Sequence, residues 1–338
     1  MELNSIAFSL KKNCVLIKLT RRLPEKMNPT AKSPQNKLAI FMSDVKRDAH
    51  LYLLLFFPMV YYIIFKYIPM YGITIAFKDY NLFQGIIKSP WVGMAVFKEI
   101  WSMPEFFRAV RNTLMLNLLD LIFSFPAPII LALLLNEIRI NWFKRTAQTI
   151  FYLPYFLSWV IIGGIATQLL SPVTGLVNIA VKSIGLPAIP FLTQKSYWVF
   201  SYLGIGVWQS AGWGTIIYLA AIAGINNELY EAAQVDGAGR FRQIWHITLP
   251  GLKPTIIILL ILNLGRLMLS AFDRPYVIGN TYVRDLSDVI STFVYRVGIQ
   301  SMRYSLATAV GLFQSVVGMI LLVISNYIAN KSGEQGIW

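Results

Sequence analysis

The chain has 338 residues, 56% hydrophobic and 14% charged, with a formal net charge of +14. A soluble domain carries about a quarter charged residues, so this deficit, together with apolar runs of roughly twenty residues, excludes an ordinary soluble fold and indicates an all-α polytopic membrane protein. The single cysteine, Cys14, excludes an internal disulfide and a cysteine-based metal site, and the basic residues fall at membrane edges rather than in a nucleic-acid-binding patch.

The first 45 residues read as a basic, disordered cytoplasmic tail, lying against anionic lipid; the first fifty carry ten Lys/Arg against four Asp/Glu. Six apolar spans follow in one domain over 46–330: 51–73, 113–135, 149–170, 197–221, 255–274 and 306–328. Short amphipathic helices are expected over 76–112, with Trp91, Trp101 and Phe106 at a membrane interface. Gly163 and Gly164 in the third span suit close helix approach. A short cytoplasmic tail closes the chain at 331–338. Arg139, Lys144 and Arg145 in the 136–148 loop and Arg240, Arg242 and Lys253 in the 224–254 loop place those loops, and both termini, on the cytoplasmic side.

Few side chains inside the spans are ionisable. A charge at a helix centre costs on the order of 2.5 to 3.5 kcal/mol, so each calls for an interior or aqueous setting. Asn263, Arg266, Ser270 and Asp273 recur at i, i+3, i+7 and i+10 and share one face if the fifth helix is continuous. Asn117, Asp120 and Ser124 do the same on the second span. Gln168 and Gln209 add amides to the third and fourth. One reading is a water-accessible path for a hydroxyl-rich solute, with Arg266 favouring an acidic sugar. The other is polar contact between helices that only holds the bundle together. Trp213 on the fourth span either stacks on sugar or faces lipid. Asp273, beside Arg274 at the outer end of the fifth span, reads as half of a surface ion pair.

The stretch 225–254 is a polar island between two spans, much longer than a plain connector needs. A helix is predicted over 227–235, with Glu228 and Glu231 near its N-terminus, where carboxylates complement the macrodipole. It ends at Gly237 and Gly239, which tolerate positive φ. A second helical piece over 240–247 stops before Pro250, with Phe241, Ile244 and Trp245 folding back on the bundle. No Gly-x-x-x-x-Gly-Lys-Ser/Thr loop occurs anywhere in the chain. No Ser/His/Asp set or paired carboxylates appear either, so an embedded enzyme finds no support. A secondary transporter would call for repeat symmetry, and none is visible.

Glu231-Ala232-Ala233, then Gly237 after three residues, then Ile247, Leu249 and Pro250 after nine more, fill the pattern Glu-Ala-Ala-x3-Gly-x9-Ile-x-Leu-Pro. This resembles the EAA loop of binding-protein-dependent ABC importer permeases. Phe125-Pro126-Ala127-Pro128, Tyr152-Leu153-Pro154, Ala211-Gly212-Trp213-Gly214-Thr215 and Lys66-Tyr67-Ile68-Pro69-Met70-Tyr71-Gly72 are similar to the LplB-type carbohydrate permeases of that class. The resemblance covers roughly residues 46–338 and implies a six-helix type I importer permease, multi-pass in the cell membrane. It implies a coupling helix bearing Glu231, Ala232, Ala233, Asp236, Gly237 and Ala238, seated in a cytoplasmic ATPase subunit. It further implies two ABC ATPase subunits that hydrolyse ATP, a second permease subunit and an extracytoplasmic solute-binding protein. No cofactor and no nucleic acid are implied for this chain. The EAA pattern is shared with amino-acid, peptide and metal permeases, so only the wider resemblance argues for sugar.

Overall fold

The computed structural model describes residues 48–269 and 271–331 and divides into two units, Met1–Pro69 and Met70–Trp338. The tail 1–45, Ser270 and the last seven residues lie outside the described residues.

The first unit carries α1 (Ala49–Tyr62) and a π turn over Ile63–Tyr67, with a 3-10 run, Ile68–Phe77, continuing past its end. Ala49–Phe77 is helical and apolar enough to cross a bilayer. Proline removes a backbone donor and crowds the preceding turn. A π turn loosens that turn, and this one ends two residues before Pro69.

In the second unit, Gly85–Lys88 and Ala95–Trp101 are the short helices anticipated between the first two spans. The second span is longer than expected and interrupted. It comprises α2 (Pro104–Phe123) and α3 (Pro126–Glu137), parted at Ser124 and Phe125, with a proline opening each helix.

The third span departs from the expected single helix. It is α4 (Asn141–Tyr152) extended by a 3-10 turn, Leu153–Phe156, then α5 (Trp159–Leu170), bent by 103° at the join. Pro154 weakens the first piece, and Ser158 caps the second by accepting a hydrogen bond from the Ile161 amide. Of the two glycines there, Gly163 is the one in close contact: a Cβ would stand 2.1 Å from Val277 Cγ1, whereas Gly164 faces open space.

The fourth span is one helix, α6 (Lys195–Ala223), followed by α7 (Asn227–Val235), whose bounds match the expected ones. The next helical piece does not stop before Pro250. Arg240–Gln243 passes through a π turn, Ile244–Thr248, into α8 (Leu249–Gly265), and Arg240–Gly265 forms one candidate span. The π turn again ends two residues before the proline, here Pro250, and absorbs it as at Pro69.

The expected helix over 255–274 instead ends at Gly265. Arg266 is its C-cap, and a short helix, α9 (Asp273–Ile278), follows. The predicted face through residues 263, 266, 270 and 273 is therefore split between two elements. Helix α10 (Ile290–Val294) and a π turn over Tyr295–Gln300 lead to the last span, α11 (Tyr304–Lys331).

Among the described residues, three apolar clusters join helices of the second unit. Phe106, Phe293 and Leu306 join α2, α10 and α11. Leu116, Trp198, Tyr202 and Ile278 join α2, α6 and α9. Ala132, Tyr218, Ile222 and Leu252 join α3, α6 and α8. Buried polar groups then fix the loops. Asn112, with no exposed surface, donates to the carbonyls of Asp285 (2.7 Å) and Asp288 (2.9 Å). The Ile290 amide donates to Thr113 Oγ1 at 2.9 Å. The segment 284–290 is thereby pinned against α2, because a buried amide left unpaired would cost about 1 to 3 kcal/mol.

Candidate functional site: a polar cavity and a projecting helix

Helix α7 is closed at both ends. Asn226 Oδ1 accepts from the Glu228 amide at 3.0 Å, an N-cap. At the other end the Gly237 amide donates to the Gln234 carbonyl (3.0 Å) and the Ala238 amide to the Ala233 carbonyl (2.8 Å). That is the Schellman arrangement, which places the residue after the C-cap in the left-handed region; Gly237 has φ +76°. Asp236 is the C-cap. Glu231, Ala232 and Asp236 are exposed, while Ala233 and Ala238 are half-buried.

The loop is tied across itself and to α3, where Arg240 Nη1 lies 3.8 Å from Glu137 Oε2. Tyr230 Oη and Thr248 Oγ1 share a hydrogen bond of 2.9 Å, and Thr248 is buried. Ile225 packs on Gly251, where a Cβ would stand 2.6 Å from Ile225 Cδ1. Ile247 and Leu249 are half-buried and Pro250 is exposed. The expectation that Phe241 and Trp245 fold back is not met: they are 79% and 61% exposed. The helix runs on into α8 instead of reversing, and of Phe241, Ile244 and Trp245 only Ile244 is half-buried.

The second feature is a cavity of about 550 Å3 between α2, α3, α6, α8 and α9. Asn117, Asp120, Trp213, Asn263 and Arg266 line it together; Gln209 is buried in α6 away from its wall, and Ser270 lies outside the described residues. Asn117 Nδ2 donates to the Leu267 carbonyl at 2.7 Å, tying α2 to the turn after α8. Asn263 Nδ2 donates to the Leu259 carbonyl at 2.8 Å. Trp213 stacks on Tyr155 with ring centres 4.7 Å apart and planes at 3°, so it is neither a purely lipid-facing ring nor an isolated one.

Arg274 takes a different place from the one expected. It lies 9% exposed on the cavity wall, and its partner is Asp120 rather than Asp273. Nη1 donates to Asp120 Oδ2 at 2.7 Å, Nη2 to Oδ1 at 3.3 Å, and Nη2 also to the Tyr202 carbonyl. Ser124 Oγ donates to Asp120 Oδ1 at 3.0 Å. The guanidinium lies over Tyr202 at 3.6 Å and is 5.6 Å from Trp159. Gly206 makes room for it: a Cβ there would stand 2.3 Å from Nη2. The reason is electrostatic. A buried guanidinium needs a carboxylate and further acceptors, and the break after Gly265 turns Arg274 inward toward α2.

Asp120 thus neutralises Arg274, and the third charged residue on the wall, Arg266, has no ion-pair partner among the described residues. The sequence reading gives Arg274 only as the surface neighbour of Asp273 and does not single out Tyr155. The one visible signal for Arg274 was an arginine and an aspartate in two different spans, each costly alone.

The sequence matches, over residues 124–332, the family described as the binding-protein-dependent transport system inner membrane component. That is more than half of the chain. The chain belongs to this family. The permease is 48% identical to protein LplB of Bacillus subtilis over 298 residues, 88% of this chain and 94% of LplB. It is 45% identical over 292 residues to the polygalacturonan/rhamnogalacturonan transport system permease protein YteP of the same organism, 86% of this chain and 91% of YteP. A solved bacterial ABC transporter involved in the import of the acidic polysaccharide alginate contains a chain that is 40% identical, with a TM-score of 0.80, covering 86% of the permease and 98% of that chain. A second structure shows that transporter with an alginate pentasaccharide-bound periplasmic protein, matching at 40% identity and a TM-score of 0.80 over 87% and 99% of the two chains. The permease is therefore an all-α, multi-pass membrane subunit of a transport system, with five candidate spans among the described residues, or six when the bent pair counts as one.

Proposed function

We propose that the permease forms part of an ATP-driven importer for oligosaccharides cut from polysaccharides, and that acidic fragments are its preferred cargo. The observation that carries this is the central cavity, with amides at Asn117 and Asn263, a stacked Trp213–Tyr155 pair and one uncompensated cation at Arg266. Amides and hydroxyls suit hydroxyl-rich solutes, aromatic rings suit the apolar faces of sugar rings, and a guanidinium binds carboxylate through paired donors. The relatives named for polygalacturonan, rhamnogalacturonan and alginate support the same reading.

In this reading α7 and the turn at Gly237 form the contact with a cytoplasmic ATPase subunit, Glu231 and Asp236 facing it. Two ATPase subunits hydrolyse ATP, a second permease subunit completes the path, and an extracytoplasmic binding protein delivers the sugar. Both termini and the 225–254 loop then lie in the cytoplasm.

The test is uptake by proteoliposomes holding the permease with those partners, using labelled galacturonate and mannuronate oligomers and neutral malto-oligosaccharides. ATP-dependent uptake is expected. Arg266→Gln should lower uptake of the acidic oligomers about tenfold relative to the neutral ones, the loss of one charge-assisted hydrogen bond. An equal change for both classes would remove the acidic preference, and uptake following an ion gradient without ATP would overturn the importer.

A further inference from the structure

We infer that a second pocket, of about 260 Å3 between α9 and the π turn Tyr295–Gln300, is a separate binding site for one uronate unit of an incoming sugar chain. The inference rests on the sugar-importer reading above and adds a site to it.

The pocket is lined largely by residues with polar side chains. Apart from Pro275 and Gly279, every lining residue carries a hydrogen-bonding side chain. Its acid is already engaged. Asp288 Oδ2 accepts from Arg296 Nη2 at 2.6 Å and Oδ1 accepts from Thr292 Oγ1 at 2.8 Å. Arg296 also sits 5.5 Å from the Phe293 ring centre. Its guanidinium is therefore held in one orientation, with further N–H donors left over. Arg284, on the same wall and exposed, has no ion-pair partner among the described residues. With Asp288 cancelling Arg296, the pocket keeps one positive charge and two guanidinium groups in reach of a carboxylate.

An aromatic wall completes the chemistry. Tyr276 lines the pocket and is 50% exposed. It is backed by Phe272 at 4.7 Å, nearly stacked, and by Tyr295 at 5.5 Å, edge-on. A fixed ring with an open face is a platform for the apolar side of a sugar ring, at little cost in side-chain entropy. The volume suits one ring unit and falls below the range of larger ligand sites, about 300 to 1,000 Å3. The staple from Asn112 to the Asp285 and Asp288 carbonyls keeps the Arg284 and Asp288 backbone in register.

The position is also informative. Helix α8 starts at the 225–254 loop and ends at Gly265, so the pocket lies at the end of the bundle remote from that loop. Arg274 of α9 lines the central cavity, while its neighbours Pro275 and Tyr276 line this pocket. The two sites are thus back to back across one short helix, and a chain leaving one can be received by the other.

The experiment uses the complete importer with its binding protein in proteoliposomes. Galacturonate and mannuronate oligomers are the acidic probes and malto-oligosaccharides the neutral ones. Arg284→Gln and Tyr276→Ala should each raise the KM for uronate oligomers at least fivefold relative to that for neutral sugars. Tyr282→Ala, a neighbouring residue that is 74% exposed and outside the pocket, serves as the control. Unchanged uronate KM in both pocket variants would overturn the site. So would an equal loss for acidic and neutral sugars together with lost ATPase stimulation by the binding protein, which would make this face a protein-docking surface. An effect of Arg284→Gln with none of Arg266→Gln would sink the acid role of the central cavity and leave this site standing. A wild-type importer that moves none of these sugars would overturn both.

Discussion

Asp120 and Arg274, 154 residues apart in sequence, share two hydrogen bonds of 2.7 and 3.3 Å across the wall of the central cavity. Four elements meet there: Asp120 from α2, Trp159 from α5, Tyr202 and Gly206 from α6, and Arg274 from α9. The two side chains are 11% and 24% exposed. Removing one partner therefore leaves a largely buried charge uncompensated and costs at most what a fully buried pair would, about 3 to 5 kcal/mol, whereas removing both is far milder. Asp120→Asn and Arg274→Gln should therefore each lower the thermal stability of the purified permease strongly. The double variant should recover much of the loss. A double variant that melts as the sum of the two singles would show that the pair contributes no coupling.

The turn at Gly237 yields a more local prediction. Gly237 holds φ +76° and closes α7 through the Ala238-to-Ala233 and Gly237-to-Gln234 bonds. Any Cβ in the left-handed region costs roughly 1 to 2 kcal/mol, although space at Gly237 is open. Gly237→Ala should fray the end of α7 with little effect on the folded bundle. Gly237→Pro also removes the amide that bonds Gln234, and it should uncouple ATP hydrolysis from uptake in the assembled importer. Glu231→Lys should do the same through charge reversal. Normal, coupled transport by both Gly237→Pro and Glu231→Lys would sink the coupling role of α7.

How much of this was legible in the sequence depends on the range of the interactions concerned. Helix α7 was readable to its ends because Asn226 and Gly237 are local cap signals. Spans α6 and α11 were readable because their apolar runs are unbroken. The end of α8 at Gly265 was not, since apolar residues run on past it and no proline marks the break. The bend before α5 carried visible signals in Pro154 and Ser158, but the hydropathy of the run masked them. The residues of the central cavity were largely nameable as polar groups in apolar spans. Their pairing was not, because nothing local tells Asp120 that Arg274, rather than solvent or cargo, will meet it.

Helix α6 contains its own control for close packing. At Gly212 a Cβ would stand 1.9 Å from the Phe151 carbonyl oxygen and 3.0 Å from the Tyr152 amide nitrogen, both backbone atoms that cannot rotate away. At Gly204, on the same helix, nothing lies within 4 Å. Gly212→Ala should push α4 off α6 and cost about 1 to 3 kcal/mol, the range of overpacking. Gly204→Ala should be neutral or mildly stabilising, since alanine is the better helix former by roughly 1 kcal/mol. Melting temperatures of the two variants, measured side by side in the same detergent, check both expectations. Equal effects would mean that α4 and α6 do not approach through Gly212.

Outside the spans, one carboxyl links stability to pH. The Lys195 ammonium is 2.6 Å from Asp285 Oδ2, and its hydrogen bond, then its charge, hold the Asp285 carboxyl below its ordinary value, with Arg108 and Arg111 adding to the effect. The folded chain therefore binds this proton less readily than the unfolded chain does. By linkage, the contribution is fully present above the ordinary aspartate value of about 3.9 and is lost as the pH falls through the depressed folded value. The pair is exposed, so the effect is small and screened by salt. Lys195→Gln should flatten the fall in melting temperature between about pH 5 and pH 2 at low ionic strength. Raising the salt should do the same to the wild type. The staple from Asn112 to the Asp285 carbonyl does not titrate, so it holds the segment in place while the side-chain pair is tested. A Lys195→Gln profile that superimposes on the wild type at low salt would show that the pair is formed without stabilising the fold.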